Sequence, residues 1–254
     1  MLRTVQIKKS FGGVHALRSV DLELAAGKLV SVIGPNGAGK SSLMNVISGF
    51  TAPTAGEIFL GNRRLNGLRP DEICRLGIAR TFQNLQMFSQ MPAWEVTATG
   101  CFRSQTGSRF GDLLGLRPNR KEMQRSEARA AELLDFVDLD CSWRDRKAGD
   151  LPYGLQRKLE ISRALATSPS WLLLDEPAAG LNTAETAALG TLLKKTASSG
   201  VSLVLIEHDL DLVMDISDEV YVMDAGSVIA GGKPDAVRND PKVIAAYIGA
   251  DADA

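Results

Sequence analysis

Gly34-Pro35-Asn36-Gly37-Ala38-Gly39-Lys40-Ser41 is a glycine-rich run that ends in a lysine and a hydroxyl. It matches the spacing G-x-x-x-x-G-K-[ST] of a phosphate-binding loop. Glycines let successive backbone N–H groups turn inward and form an anion nest. A helix start directly behind the loop adds its positive dipole end. In such a loop Lys40 reaches the β- and γ-phosphates, the Ser41 hydroxyl ligates Mg²⁺, and Ser42 adds a phosphate contact one residue further on. The flanks agree with this reading. Residues 29–33 are an almost unbroken apolar run, as in a buried parallel strand. Residues 40–48 read as a helix ended by Gly49.

A second chemical signal lies in Trp171-Leu172-Leu173-Leu174-Asp175-Glu176-Pro177. An apolar strand ending in two carboxylates delivers them to the carboxyl edge of a sheet, where ligands of open α/β sheets bind. Asp175 suits Mg²⁺, and Glu176 suits an attacking water.

Working outward, 5–10 and 20–24 alternate apolar and polar residues as short strands around a Gly12-Gly13 turn, and 57–60 is another strand. The middle, from about 91 to 163, reads as mostly helical, with apolar positions at helical spacing over 120–137. Residues 100–119 read as a loop with an exposed helical hairpin. Strands at 171–175 and 201–206 alternate with helices at 183–196 and 210–216, and 219–223 with 227–230 form a hairpin. Alternating β and α elements of this kind imply a parallel sheet between helices, interrupted by a helical insertion.

Composition narrows the classes. The 254 residues are 44% hydrophobic and 23% charged, which excludes wholesale disorder. A net charge of −1 lacks the basic excess of a nucleic-acid binder. Three scattered cysteines, with no CxxC, argue against a disulfide framework or a zinc site. No apolar run approaches the ~18 residues of a membrane span, and the first residues lack a signal-peptide core.

A third stretch, Leu151-Pro152-Tyr153-Gly154-Leu155-Gln156-Arg157-Lys158, opens an apolar helix. The order of phosphate loop, Gln83, this L-x-x-G-x-Q stretch, the Asp175-Glu176 strand end and His208 resembles the ATPase subunits of ABC transporters over almost the whole chain. The resemblance implies an α/β fold: a P-loop NTPase core at about 1–83 and 164–254, with an N-terminal antiparallel β subdomain. An inserted α-helical subdomain at about 84–163 would carry the signature. It also implies roles. Phe11 stacks on adenine, and Gly34, Pro35, Asn36, Gly37, Ala38, Gly39, Lys40, Ser41 and Ser42 cradle the phosphates of ATP. Ser41, Gln83 and Asp175 hold Mg²⁺. Glu176, His208 and Gln83 serve hydrolysis, and Gln83 couples the nucleotide to the membrane partner. Tyr153, Gly154 and Gln156 close over the γ-phosphate of the opposite subunit, and Ala179-Gly180-Leu181-Asn182 crosses the dimer interface.

Two positions depart from the family pattern. Pro152 stands where serine is usual and Asn182 where aspartate is usual, which removes one hydroxyl and one charge from the half-site. The wording of Thr81-Phe82-Gln83-Asn84, Ile206-Glu207-His208-Asp209 and Ala246-Tyr247-Ile248-Gly249 is most similar to branched-chain amino acid importers. Importers of urea, amides or small organic acids share much of it. The partners implied are transmembrane permease subunits, a second ATPase subunit packed head to tail and, indirectly, a solute-binding protein, with no nucleic acid. The implied location is peripheral, on the cytoplasmic face of the inner membrane. Two other readings stand beside this one: a nucleotide switch with little hydrolysis, and a soluble ABC-type ATPase acting on nucleic acid or ribosomes. The basic run Arg117, Arg120, Lys121, Arg125 and Arg129, interleaved with glutamates, reads as a solvated helix face.

Overall fold

The computed structural model describes residues 1–82, 88–101 and 120–251. The chain divides into two compact units, Met1–Arg80 with Ser170–Ala254, and Thr81–Pro169.

The first unit is built on ten strands. They are β1 (Leu2–Phe11), β2 (Val14–Leu24), β3 (Leu29–Ile33), β4 (Ala55–Leu60), β5 (Arg63–Arg64), β6 (Ile78–Arg80), β7 (Trp171–Asp175), β8 (Ser202–Ile206), β9 (Glu219–Asp224) and β10 (Ser227–Gly232). Their order across the sheet is β5-β4-β1-β2-β10-β9-β3-β8-β7-β6. Strands β1, β2, β4 and β5 pair antiparallel. Strands β9, β3, β8, β7 and β6 run parallel, and the near-continuous apolar sequences of β3, β7 and β8 suit strands covered on both faces. All five residues of each of β3, β7 and β8 are buried. Their aliphatic side chains each contribute about 1.5–3 kcal/mol when fully removed from water. This rigid centre aligns the carboxyl ends of β3, β7 and β8, where the chemistry-bearing residues sit.

Helices α1 (Lys40–Ile47) and α2 (Pro70–Arg75) belong to this unit, and α3 (Ala93–Thr99), α4 (Arg120–Phe136) and α5 (Tyr153–Ala166) to the other. The first unit resumes with α6 (Thr183–Ser198), α7 (Leu210–Ile216), α8 (Pro234–Arg238) and α9 (Pro241–Asp251). In the helical unit, α4 buries Ala130, Leu133 and Leu134 and exposes Lys121, Arg125, Glu127 and Arg129. Gly100, at the end of α3, lies so close to α5 that a side-chain carbon there would come within 2.2 Å of the Arg163 carbonyl oxygen. Thr97 and Ser162 share a buried 2.7 Å hydrogen bond across the same helix pair.

Several expectations need adjusting. The second compact unit runs from Thr81 to Pro169, beside the bounds of about 84–163 expected for the helical insertion, and α5 continues unbroken to Ala166. The sheet has two strands that the sequence reading did not place, β5 and the three-residue β6. Most of the loop and hairpin expected at 100–119 lies outside the described residues, as does Gln83.

Candidate active site

The phosphate loop follows β3 and is braced by strands distant in sequence. Gly34 has φ +146°, and a side-chain carbon there would lie 2.0 Å from the Met223 carbonyl oxygen on β9. Gly39 has φ +100°, and its added carbon would lie 2.5 Å from the Ala16 carbonyl oxygen on β2. Both positions therefore demand glycine, for conformation and for space. Gly39 is also the N-cap of α1, and no side chain caps that helix. The first-turn N–H groups of α1 have no carbonyl inside the helix to bond, and they face a site suited to anions. The Lys40 ammonium folds back across the loop, donating to the carbonyls of Gly34 at 2.7 Å and Pro35 at 2.9 Å. Burial pulls it below the ordinary lysine value, while the charges of Glu176 and Asp175 work the other way. Asn36, Gly37 and Ser41 are exposed along the rim, Ala38 is buried and Ser42 half-buried.

Beside the loop, β7 ends in Asp175, which is buried. Its Oδ2 accepts from Arg80 Nη2 at 2.9 Å, whereas Oδ1 is buried with no hydrogen-bond partner. Burial pushes this carboxyl up, and the Arg80 guanidinium pulls it down, with burial dominant. Arg80 also donates through Nη1 to Asn45 Oδ1 at 2.8 Å and Ser48 Oγ at 2.9 Å. It therefore ties β7 to the helix behind the phosphate loop. Sequence reasoning passed over Arg80. The available signal was a charged residue directly after the apolar pair Ile78-Ala79, although its partners are not legible from spacing.

Glu176 adopts φ +50°, a left-handed backbone that a non-glycine residue rarely takes. Its N–H donates to the Ile206 carbonyl at 2.9 Å, and its Oε1 lies 2.7 Å from His208 Nε2. The Glu176 side chain is 14% exposed and that of His208 45%. Glu207, also unassigned from sequence, is buried. It accepts from the Ala178 amide at 2.6 Å and from the His208 amide at 3.1 Å. Lys40, Asp175, Glu176 and His208 thus stand at one edge of the first unit. A phosphoryl chain laid along the α1 N-terminus would meet a cation, a carboxylate oxygen without a hydrogen-bond partner, and a carboxylate–imidazole pair.

Phe11 sits at the end of β1, 51% exposed, with the Lys9 ammonium 4.7 Å from its ring centre. Its ring is not part of the buried core. Asn182 is the N-cap of α6: Oδ1 accepts from the Glu185 amide at 3.0 Å, and the Glu185 carboxylate accepts from the Asn182 amide at 3.0 Å. Asparagine caps a helix as well as aspartate does, so the substitution keeps the local geometry. Tyr153, Gly154 and Gln156 lie in the helical unit, in the opening turns of α5. Tyr153 is exposed. Gln156 turns its amide back onto the Leu151 carbonyl at 2.7 Å. Pro152 is the N-cap of α5 and provides no side-chain cap.

The ABC transporter family description matches residues 17–179, and that of the branched-chain amino acid ATP-binding cassette transporters matches 227–253. The chain is 42% identical over 240 residues to the high-affinity branched-chain amino acid transport ATP-binding protein LivG of Escherichia coli, covering 94% of each chain. It has the same identity and coverage with BraF of Pseudomonas aeruginosa. A nucleotide-free ATP-binding cassette from an ABC transporter superposes with a TM-score of 0.85 at 34% identity, covering 98% of this chain and 99% of that one. The ADP conformation of such a cassette gives 0.84 at 35% identity, covering 98% of each. On this agreement of sequence, fold and site, the chain belongs to the ABC transporter family and is one of its ATP-binding, ATP-hydrolysing subunits.

Proposed function

We propose that this ATPase powers uptake of branched-chain amino acids through a membrane permease. It would work at the cytoplasmic face, head to tail with a second cassette, and receive substrate indirectly through a solute-binding protein. The C-terminal match at 227–253 and the names of the LivG and BraF relatives support the substrate class. Among the described residues no helix is long and apolar enough to cross a membrane. The proposed division of labour gives nucleotide binding to the first unit and the permease contact to 81–169.

The observation that carries the hydrolytic part is the backbone of Glu176, held in a left-handed conformation with its carboxylate on His208. Residues kept in sparsely populated conformations concentrate at functional sites. Mg²⁺ fits the site: Asp175 Oδ1 is a buried oxygen without a hydrogen-bond partner, and Ser41 offers a hydroxyl. Two hard oxygen donors leave room for phosphate oxygens and water, the usual surroundings of this ion. When bound, Mg²⁺ neutralises charge on the transferring phosphoryl group.

The chain's own residues supply the rest. Lys40 exchanges its bonds to the loop carbonyls for the β- and γ-phosphates, and Phe11 stacks on the adenine. Glu176 accepts the proton of the attacking water as its oxygen bonds to the γ-phosphorus. The bond from that phosphorus to the bridging oxygen breaks, releasing ADP and phosphate. His208 holds the Glu176 carboxylate and donates toward the γ-phosphate. Gln83, with Ser41 and Asp175, orients the metal and water. Tyr153 and Gly154 of one cassette close over the γ-phosphate of the other, and Gln156 shapes that turn.

Reconstitution with the cognate permease and binding protein tests the whole reading. Leucine, isoleucine or valine should stimulate ATP hydrolysis and be taken up. Stimulation by urea or amides instead would reassign the substrate. Nucleotide binding without turnover would make the chain a switch.

A further inference from the structure

The stretch Ala246-Tyr247-Ile248-Gly249, near the end of the chain, has no part in the chemistry derived above. The fold gives its tyrosine a place. Helix α9 packs on β10 and α8. The half-buried Tyr247 ring rests against a cluster formed by Ile33, Val213, Val220, Val222, Val237 and Val243. Ile33 ends β3, and Gly34 opens the phosphate loop directly behind it. All six of these side chains are aliphatic. A phenylalanine would cover them as well as a tyrosine does, so packing leaves the hydroxyl unexplained.

That hydroxyl meets the loop. Burial raises the Tyr247 phenol above its ordinary pKa, and a hydrogen bond to the Gly34 backbone pulls it down. A bond that favours the phenolate is one in which the backbone N–H donates. Gly34 is thus held at both of its polar backbone groups, the N–H by Tyr247 and the carbonyl by Lys40 at 2.7 Å. Glycine is the most freely moving residue, and Gly34 has no side chain of its own to fix it. Outside contacts must set its conformation. The two ties differ in permanence. In the proposed function Lys40 gives up the Gly34 carbonyl when phosphates arrive. The phenol carries no charge for a phosphate to draw away, so its tie stays.

We propose that Tyr247 is a positioning residue whose hydroxyl fixes the Gly34 peptide, so that the C-terminal helix holds the phosphate loop in the shape that receives ATP. The role rests on the reading of this loop as the ATP site. A loop that keeps the receptive shape only part of the time binds its ligand more weakly in proportion to that fraction. Tyr247 therefore sets nucleotide affinity from the far end of the chain and leaves the chemical step alone.

The test uses the assembled transporter carrying Tyr247→Phe, which keeps the ring, and separately Tyr247→Leu, which loses ring and hydroxyl. Binding and turnover of Mg-ATP by the parent are read first, and their absence would count against the proposed function. In Tyr247→Phe the KM and Kd for Mg-ATP should rise about three- to tenfold, the factor that one hydrogen bond typically carries. At saturating ATP kcat should stay within about twofold, because the bound phosphates then hold the loop themselves. Hydrogen exchange of the Gly34 amide should speed up without nucleotide and return toward the parent rate with Mg-ATP. The unfolding temperature should fall by no more than about 4 °C, the shift expected for one such bond in a chain of this size. Tyr247→Leu should show the same rise in KM and a further drop in unfolding temperature, since affinity follows the hydroxyl and stability the ring. Parent-like KM and Gly34 exchange in Tyr247→Phe would overturn the role. So would a KM change confined to Tyr247→Leu, or a loss of kcat at unchanged KM.

Discussion

Glu207, directly after β8, reaches the loop after β7 and accepts the Ala178 amide at 2.6 Å, so one buried carboxylate joins the Glu176 turn to the His208 segment. Burial pushes this carboxyl up, the two backbone N–H bonds pull it down, and the nearby Glu176 charge adds to the rise.

A pH dependence follows from that direction. The native state keeps the Glu207 proton above the pH at which the unfolded chain releases it. Its contribution is full below the unfolded glutamate value, about pH 4. It is lost as pH rises through the native value. In Glu207→Gln nothing titrates there. Chemical denaturation should show the parent losing stability relative to the variant as pH is raised from about 4. A difference independent of pH over that range would remove the assignment.

Arg80 is the only cation hydrogen-bonded to Asp175 among the described residues, and both side chains are buried. Removing one partner of a buried pair typically costs about 3–5 kcal/mol, because the other charge stays behind. Arg80→Met should therefore lower the unfolding temperature strongly in metal-free buffer. Mg²⁺ with nucleotide should restore more stability to the variant than to the parent, since it supplies the missing positive charge. Equal stabilisation of the two proteins would mean that Asp175 does not face the metal.

For the catalytic carboxylate, Glu176→Gln keeps size and one acceptor oxygen but cannot take a proton. Turnover should drop about 10²–10⁴-fold, the usual value of general-base help. Mg-ATP affinity should be retained, and the ATP-bound pair of cassettes should persist in light scattering. Parent-rate hydrolysis would move the base role elsewhere, with His208 the next residue to substitute.

Pro152→Ser sets two effects against each other. A serine N-cap typically contributes about 0.5–2 kcal/mol. Losing the stiffness of proline costs about 0.4–1 kcal/mol. Stability should change little, while the added hydroxyl at the opposite subunit's γ-phosphate should raise turnover in the assembled transporter. A clear fall in turnover would indicate that this interface is fitted to proline.

Features with local causes were legible in the sequence. Gly34 to Ser41, the apolar strands β3 and β7 and the helix α7 follow from composition and periodicity, and their bounds agree with expectation to within a residue. Asp175 and Glu176 were legible because a strand end places them. Arg80 and Glu207 were not, because their roles come from partners 95 and 29 residues away. Strand β6 escaped notice because three residues carry no measurable period.

The glycines at 34 and 39 lie against the backbones of β9 and β2, which enter the sheet from opposite ends of the chain. The nucleotide pocket is accordingly a late product of synthesis. A nascent chain that has made the whole phosphate loop still lacks its brace until residues near Met223 leave the ribosome. ATP should then act as a ligand of the finished sheet only, stabilising completed molecules by mass action and leaving truncated ones exposed to proteases.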